Sequence, residues 1–158
     1  MRIPKIYLET TIFNFYFADD SPDKKQDTLK LFDEIETGKY KPYTSDYVFV
    51  ELRRATEPKQ SQMLALIERY GVTLLEPSFE ADRLAQIYVD EGIIPRRHFV
   101  DAAHIATATI HDLDFVVSYN FQHIVKRKTV MMTESVNLRE GYKRIGVFSP
   151  TEVIENEE

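Results

Sequence analysis

The order of short apolar runs and longer amphipathic stretches constrains this chain more than any other feature. Runs at 3–8, 41–44, 72–75, 115–118 and 144–148 have the length and the β-branched or aromatic content of strands. Between them, residues 11–17, 24–37, 46–55, 58–70, 78–91 and 99–111 read as helices, and a short turn follows Asn120. Leu64, Ile67 and Tyr70, and again Leu84, Ile87, Tyr88 and Glu91, share one helical face each. Ser45 or Asp46 can cap the third helix, and Ser78 stands before the acids Glu80 and Asp82 of a first turn. Gly38, Gly71 and Gly92 follow helical patterns, while Pro77 and Pro95 belong to connections. Strands that alternate with helices predict an α/β protein: a three-layer α/β/α sandwich around a central, mostly parallel sheet of about five strands. In such sheets ligands bind beyond the carboxyl ends of the strands.

The 158 residues fit one domain, here 1–154, followed by an acidic tail at 155–158. With no cysteine, disulfide frameworks, thiolate metal sites and thiol nucleophiles are excluded. Neither a secretory leader nor an apolar segment of spanning length is recognisable, so the expected location is the cytoplasm, with no membrane partner. The net charge of −6 argues against nucleic-acid binding over the whole surface but leaves room for a local basic track.

The carboxyl ends of the strands are where the polar residues become informative. Glu9 closes the first apolar run in YLETT. Glu51 lies in YVFVEL on the helix after the second strand, beside Tyr47, Val48 and Val50, which are expected to face the core. Asp101 sits in FVDAAHIATATI, an otherwise apolar helix in which an unpartnered carboxylate would be costly. Ser118 and Asn120 follow the apolar triplet 115–117. Each acid has an ordinary explanation taken singly: a cap for Glu9, a partner for Arg53 or Arg54 for Glu51, a helix-dipole partner for Asp101. Their convergence on one rim instead points to a hard divalent cation, Mg2+ or Mn2+, which favours oxygen ligands and needs only two or three carboxylates. Glu9, Glu51 and Asp101 are the candidate metal ligands, and Asn120 completes the candidate catalytic set.

These residues resemble the PIN-domain family of metal-dependent nucleases, including VapC-type toxins of toxin–antitoxin pairs. YLETT matches the family's D-T-[ST] pattern with Glu9 in place of Asp, Glu51 matches its helical Glu, and DAAHIATA matches D-A-x-H-x-A-x-A at Asp101. The fourth acid is replaced by Asn120 in SYNFQHIV, as in a branch with S-[YW]-N-F-x-H-[IL], followed by VNLREGY and SPTEVI. The resemblance runs over nearly the whole chain. It implies a PIN-like fold and an endoribonuclease that hydrolyses RNA phosphodiesters, the toxin of a type II pair with an antitoxin and a second copy as partners. The exchange of Asp for Glu9 and of an acid for Asn120 leaves three negative charges where four are usual. That departure supports an alternative, a catalytically weakened module that binds RNA or a protein without cleaving. A phosphate-ester hydrolase on a Rossmann-like sheet has no Gly-rich phosphate loop to support it.

Thr11, Ser118, Arg96, Arg97 and Lys126 are the expected substrate contacts, close in sequence to the acids. His104 shares a helical side with Asp101 and is expected to pack or to support it. His98, His111 and His123 lack a zinc-like spacing and receive the same reading. The aromatics Phe13, Phe15, Tyr16 and Phe17 are expected to pack on the sheet or form a partner surface rather than stack bases.

Overall fold

The computed structural model describes residues 2–155. Five strands form one all-parallel sheet: β1 (Lys5–Leu8), β2 (Lys41–Ser45), β3 (Thr73–Leu75), β4 (Phe115–Val117) and β5 (Gly146–Phe148), in the order β3-β2-β1-β4-β5. Central β1 has both faces covered, and Ile6, Tyr7 and Leu8 are fully buried, the near-continuous apolar reading of an interior parallel strand. Each of the five expected strands is present, with β1 starting later than the apolar run suggests.

Eight α-helices lie among the described residues: α1 (Thr10–Phe15), α2 (Pro22–Glu36), α3 (Asp46–Leu52), α4 (Lys59–Arg69), α5 (Phe79–Asp90), α6 (Phe99–Ile110), α7 (Arg127–Arg139) and α8 (Pro150–Val153). Together with the sheet they make the α/β/α sandwich expected from the sequence. The closest helix pair is α5 with α6, where Ala102, Ala103, Ala106 and Ala108 on α6 are buried. Ser78 caps α5 by accepting from the Ala81 N–H at 3.0 Å. Gly38 and Gly71, which follow α2 and α4, hold φ of +85° and +63°, the left-handed conformation that stops a helix.

Three expectations need correction. The turn expected after Asn120 is followed by the full helix α7, and a short helix, α8, follows β5. The inward face of α7 is largely polar: Thr129, Thr133 and Asn137 recur every four residues and are buried, with Val136 as its one buried apolar residue. Thr133 returns its hydroxyl to Thr129 O at 2.8 Å, while Asn137 accepts from Tyr88 and donates to Thr109 at 3.3 Å. A search for apolar periodicity cannot see such a face. On α3, Val48 and Leu52 form the buried stripe, so Val50, half a turn away, is 52% exposed. Ser45 occupies the cap position of α3 but makes no cap bond, because its hydroxyl pairs with Tyr7. The expected acidic tail starts at Glu155, which pairs with Lys39 at 2.7 Å; 156–158 lie outside the described residues.

Topology positions the rim. After β1 the chain builds outward to β2 and β3, then crosses back to place β4 on the other side of β1. The connections leaving β1 and β4 therefore diverge, opening a crevice at their carboxyl ends. The residues at that crevice are Glu9, whose N–H extends the ladder to Val117 O at 3.2 Å, and Ser118, whose N–H bonds Phe148 O at 3.0 Å.

Candidate functional site

Glu9 is the N-cap of α1 and is 3% exposed. Its Oε1 accepts from the Thr11 N–H at 3.1 Å, the Thr11 hydroxyl at 2.5 Å and the Ser118 hydroxyl at 2.7 Å. Thr11 and Ser118, expected as substrate contacts, both donate to this acid. Both hydroxyls are also acceptors, from the Tyr119 N–H at 2.8 Å and the Asn120 N–H at 2.8 Å, which ties the loop after β4 to Glu9. Burial pushes the Glu9 carboxyl above the usual range; the charge of His104 and the donors from Thr11 and Ser118 only partly offset it.

Glu51 approaches from α3. Its Oε1 accepts from the Thr10 hydroxyl at 2.6 Å and from His104 Nε2 at 2.8 Å. His104, fully buried on α6, turns Nδ1 to the Tyr7 hydroxyl at 2.6 Å, and that hydroxyl meets Ser45 Oγ at 2.6 Å. The result is a continuous relay, Ser45–Tyr7–His104–Glu51, running from the core to the rim. Burial works to raise Glu51, but the hydrogen bond and charge of His104, with Thr10 and Arg54, hold it below the ordinary carboxylate range. Burial likewise opposes the charged imidazole, yet the hydrogen bond to Glu51 and the charges of Glu9, Glu51 and Asp101 raise His104 overall. One imidazole therefore feels all three acids, and the supporting role expected of His104 is its observed one.

Asp101, in the first turn of α6, has a different neighbourhood. It is half-buried, its carboxyl pushed up by burial, with the charge of His104 and the Asn120 amide pulling against the shift. His98 Nδ1 lies 3.7 Å from Asp101 Oδ2. His123 follows Asn120, whose Oδ1 accepts the His123 N–H at 3.0 Å. Among the described residues, one trio of potential ligands brings its donor atoms within 4.8 Å of one another, and it is His98, Asp101 and His123 rather than the three acids. Sequence spacing misses this trio because His98 and His123 meet only through the fold. The one local signal was the i,i+3 interval from His98 to Asp101.

The cationic residues divide around these groups. Arg97 and Lys126 act electrostatically on His123, placing both at the His123 edge. Arg96 is paired with Asp90 at 3.2 Å. Arg54, offered by the sequence as a partner for Glu51, helps to line a cavity of about 350 Å³ with Glu51, Tyr47, Val50, Pro77 and Val100. The aromatics expected to pack do so: Phe13 is fully buried, and Tyr16 meets Phe32 edge-on at 5.2 Å and Tyr70 at 6.2 Å.

Comparison with known proteins bears on the family and the fold. The sequence model described as PIN domain matches residues 6–127. No curated protein matches the chain. Among solved structures, a chain from VapBC2 of Rickettsia felis bound to a DNA fragment from their promoter shares the fold, with a TM-score of 0.56 and 12% identity. The superposition covers 92% of this chain and 98% of that one.

Proposed function

The chain belongs to the PIN-domain family, and from that premise we propose that it is a divalent-metal-dependent endoribonuclease centred on Glu9, Glu51, Asp101 and Asn120. One observation carries the proposal. Among the described residues every hydrogen bond to Glu9 and to Glu51 falls on Oε1, so both acids are held in place while Oε2 of each accepts from none of those donors. The free oxygens, with the Asp101 carboxylate, fit the needs of Mg2+ or Mn2+, which take oxygen ligands and retain several waters.

Glu9, Glu51 and Asp101 would hold the ion. When bound, it supplies a water of lowered pKa and withdraws charge from a phosphoryl oxygen. The chain's own contribution is orientation. Thr10 and His104 fix Glu51, Thr11 and Ser118 fix Glu9, and Asn120 sets the loop beside Asp101. Arg54 on one flank and Arg97 with Lys126 on the other supply cationic contacts for a phosphate backbone. As substrate contacts, Arg97 and Lys126 are retained, Arg96 is engaged with Asp90, and Thr11 and Ser118 are assigned to Glu9.

The VapBC2 neighbour supports the toxin half of a type II pair, with an antitoxin and a second copy of this chain as partners. A second reading, a module that binds RNA or a protein without cleaving, is favoured by Asn120, whose carbonyl is already taken by the His123 N–H. Incubating the purified chain with a mixed RNA pool and Mn2+ separates the two. Cleavage falling roughly ten- to a hundredfold or more in both Asp101→Asn and Glu51→Gln supports the nuclease. Equal cleavage by all three proteins identifies a contaminant and sinks it.

A further inference from the structure

Asp101 faces two histidines that the acid rim does not use. His98 closes the 3-10 turn Arg96–His98 just before α6, with Nδ1 at 3.7 Å from Asp101 Oδ2. His123 comes from the loop after β4, and its ring lies 4.0 Å from that of His98 between centroids, the planes tilted by 32°. One donor atom from each of the three residues lies within 4.8 Å of the other two. Ligands at about 2.1 Å stand about 3.4 Å apart on a tetrahedral ion and about 4.2 Å apart where they oppose one another. The trio is therefore within small side-chain adjustments of a coordinated set.

Two further observations point to a ligand. His123 Nε2 is shielded from water and has no hydrogen-bond partner, alone in that state among the buried side-chain nitrogens and oxygens of the described residues. A ring nitrogen taken from water without a replacement is unfavourable, and an ion would supply the partner the ring lacks. The loop that presents the ring is also built for it. Asn120 accepts the His123 N–H through Oδ1 and donates its own N–H to Ser118 Oγ at 2.8 Å. The amide that stands where a fourth acid was expected thus shapes the turn that delivers a histidine.

We infer that His98, Asp101 and His123 form a divalent transition-metal site in their own right, with two imidazoles and one carboxylate as ligands. Imidazole nitrogen suits manganese, iron, cobalt, nickel and zinc, whereas magnesium keeps to oxygen. The missing negative charge at Asn120 is replaced by neutral nitrogen, which shifts the preference of this edge of the rim away from Mg2+. Asp101 is shared with Glu9 and Glu51, so the site lies beside the acid rim rather than in place of it. At His98 the ion occupies the position of the proton between Nδ1 and Asp101. Arg97 Nε donates to the other ring nitrogen, Nε2, at 3.3 Å, and turns aside when the ring proton moves there. The inference concerns binding and stands whether or not the chain cleaves RNA.

The test uses the full chain without a histidine tag, titrated with Co2+ and followed by visible absorption. A saturable band is expected, resistant to a large excess of Mg2+. His98→Gln and His123→Gln are each expected to weaken Co2+ binding roughly tenfold or more, with circular dichroism confirming the fold. Glu9→Gln and Glu51→Gln are expected to leave the band in place. Absence of a saturable band, displacement by equimolar Mg2+, wild-type binding by both histidine variants, or loss of the band in the glutamate variants overturns the site. The Mg2+ competition uses the unaltered chain, so it decides even where a variant fails to fold. A nuclease that cuts with Mg2+ but shows no Co2+ band would retain the catalytic reading and lose only this site.

Discussion

The two halves of the rim are built on opposite plans. At Glu9 and Glu51, the acids are steered by three hydroxyls, a backbone N–H and a buried imidazole, five donors in all falling on one oxygen of each. At Asp101 and Asn120, the carboxylate meets an imidazole at 3.7 Å and an amide occupied by the loop, and a ring nitrogen is left without a partner. The titration directions follow. Glu51 sits below its ordinary range because His104 is hydrogen-bonded to it, whereas Asp101 sits above because burial outweighs more distant help. The first half is organised by the chain's own hydrogen bonds; the second leaves a donor that the inferred ion would complete. The difference teaches that charge count alone does not describe this centre, because two of its acids are steered by donors while the third faces two histidines.

The largest expected effect tests the organised half. His104→Ala removes the bridge between Tyr7 and Glu51 and leaves both groups without their buried partner. Breaking a buried charged pair by deleting one member costs about 3–5 kcal/mol. Urea unfolding of the metal-free chain is the measurement, and a loss below about 1 kcal/mol would show that the relay is not what holds this half. His98→Ala, with its ring 36% exposed, is the matching change on the other half and is expected to stay within about 0.5 kcal/mol.

The same contrast explains what could be read from the sequence. The five strands and their carboxyl-end acids were legible because apolar runs, a lone Asp in FVDAAHIATATI and the YLETT boundary are local signals. The fold follows from them once parallel connections are required. The relay was half legible: His104 lies near Asp101 along α6, but its partners Tyr7 and Glu51 come from other elements, and sequence gives no distance between elements. The bonds from Thr11 and Ser118 to Glu9 were not legible because a hydroxyl beside an acid reads equally as a substrate contact or as a donor to that acid. The meeting of His123 with His98 was not legible because it needs both the Asn120 turn and the packing of the 3-10 turn against it. Helix α7 was missed because it turns Thr129, Thr133 and Asn137 inward, satisfying them by hydrogen bonds rather than by apolar burial.

An intermediate effect tests the incomplete half. Asn120→Asp keeps an acceptor for the His123 N–H and restores a fourth negative charge beside Asp101. Added ligand charge strengthens the binding of hard cations. Calorimetric titration is expected to show Mg2+ affinity rising roughly tenfold, about 1.4 kcal/mol. Unchanged affinity would mean that position 120 is outside the coordination shell and that the contrast between the halves ends at Asp101.

The smallest effect lies within the organised half and concerns the cost of its order. Glu9 is buried and its carboxyl is raised, so the folded state favours the protonated form. Between the unfolded value, about 4.3, and the higher folded value, the folded chain binds more protons than the unfolded chain. Stability from this group is therefore complete below about pH 4.3 and is lost as pH rises through the folded value. Glu9→Gln keeps an Oε1 acceptor for Thr11 and Ser118 and does not titrate. It is expected to match the parent near pH 4 and to be the more stable chain at pH 7, by an amount on the order of 1 kcal/mol in the absence of metal. Thermal unfolding across that range with a chelator present measures it. Adding Mn2+ should reverse the ranking at pH 7, since ligand binding stabilises only the chain that holds it. If the parent is the more stable at pH 7 without metal, then Glu9 is in place for the fold, and the burial of its carboxylate is no sign of a ligand to come.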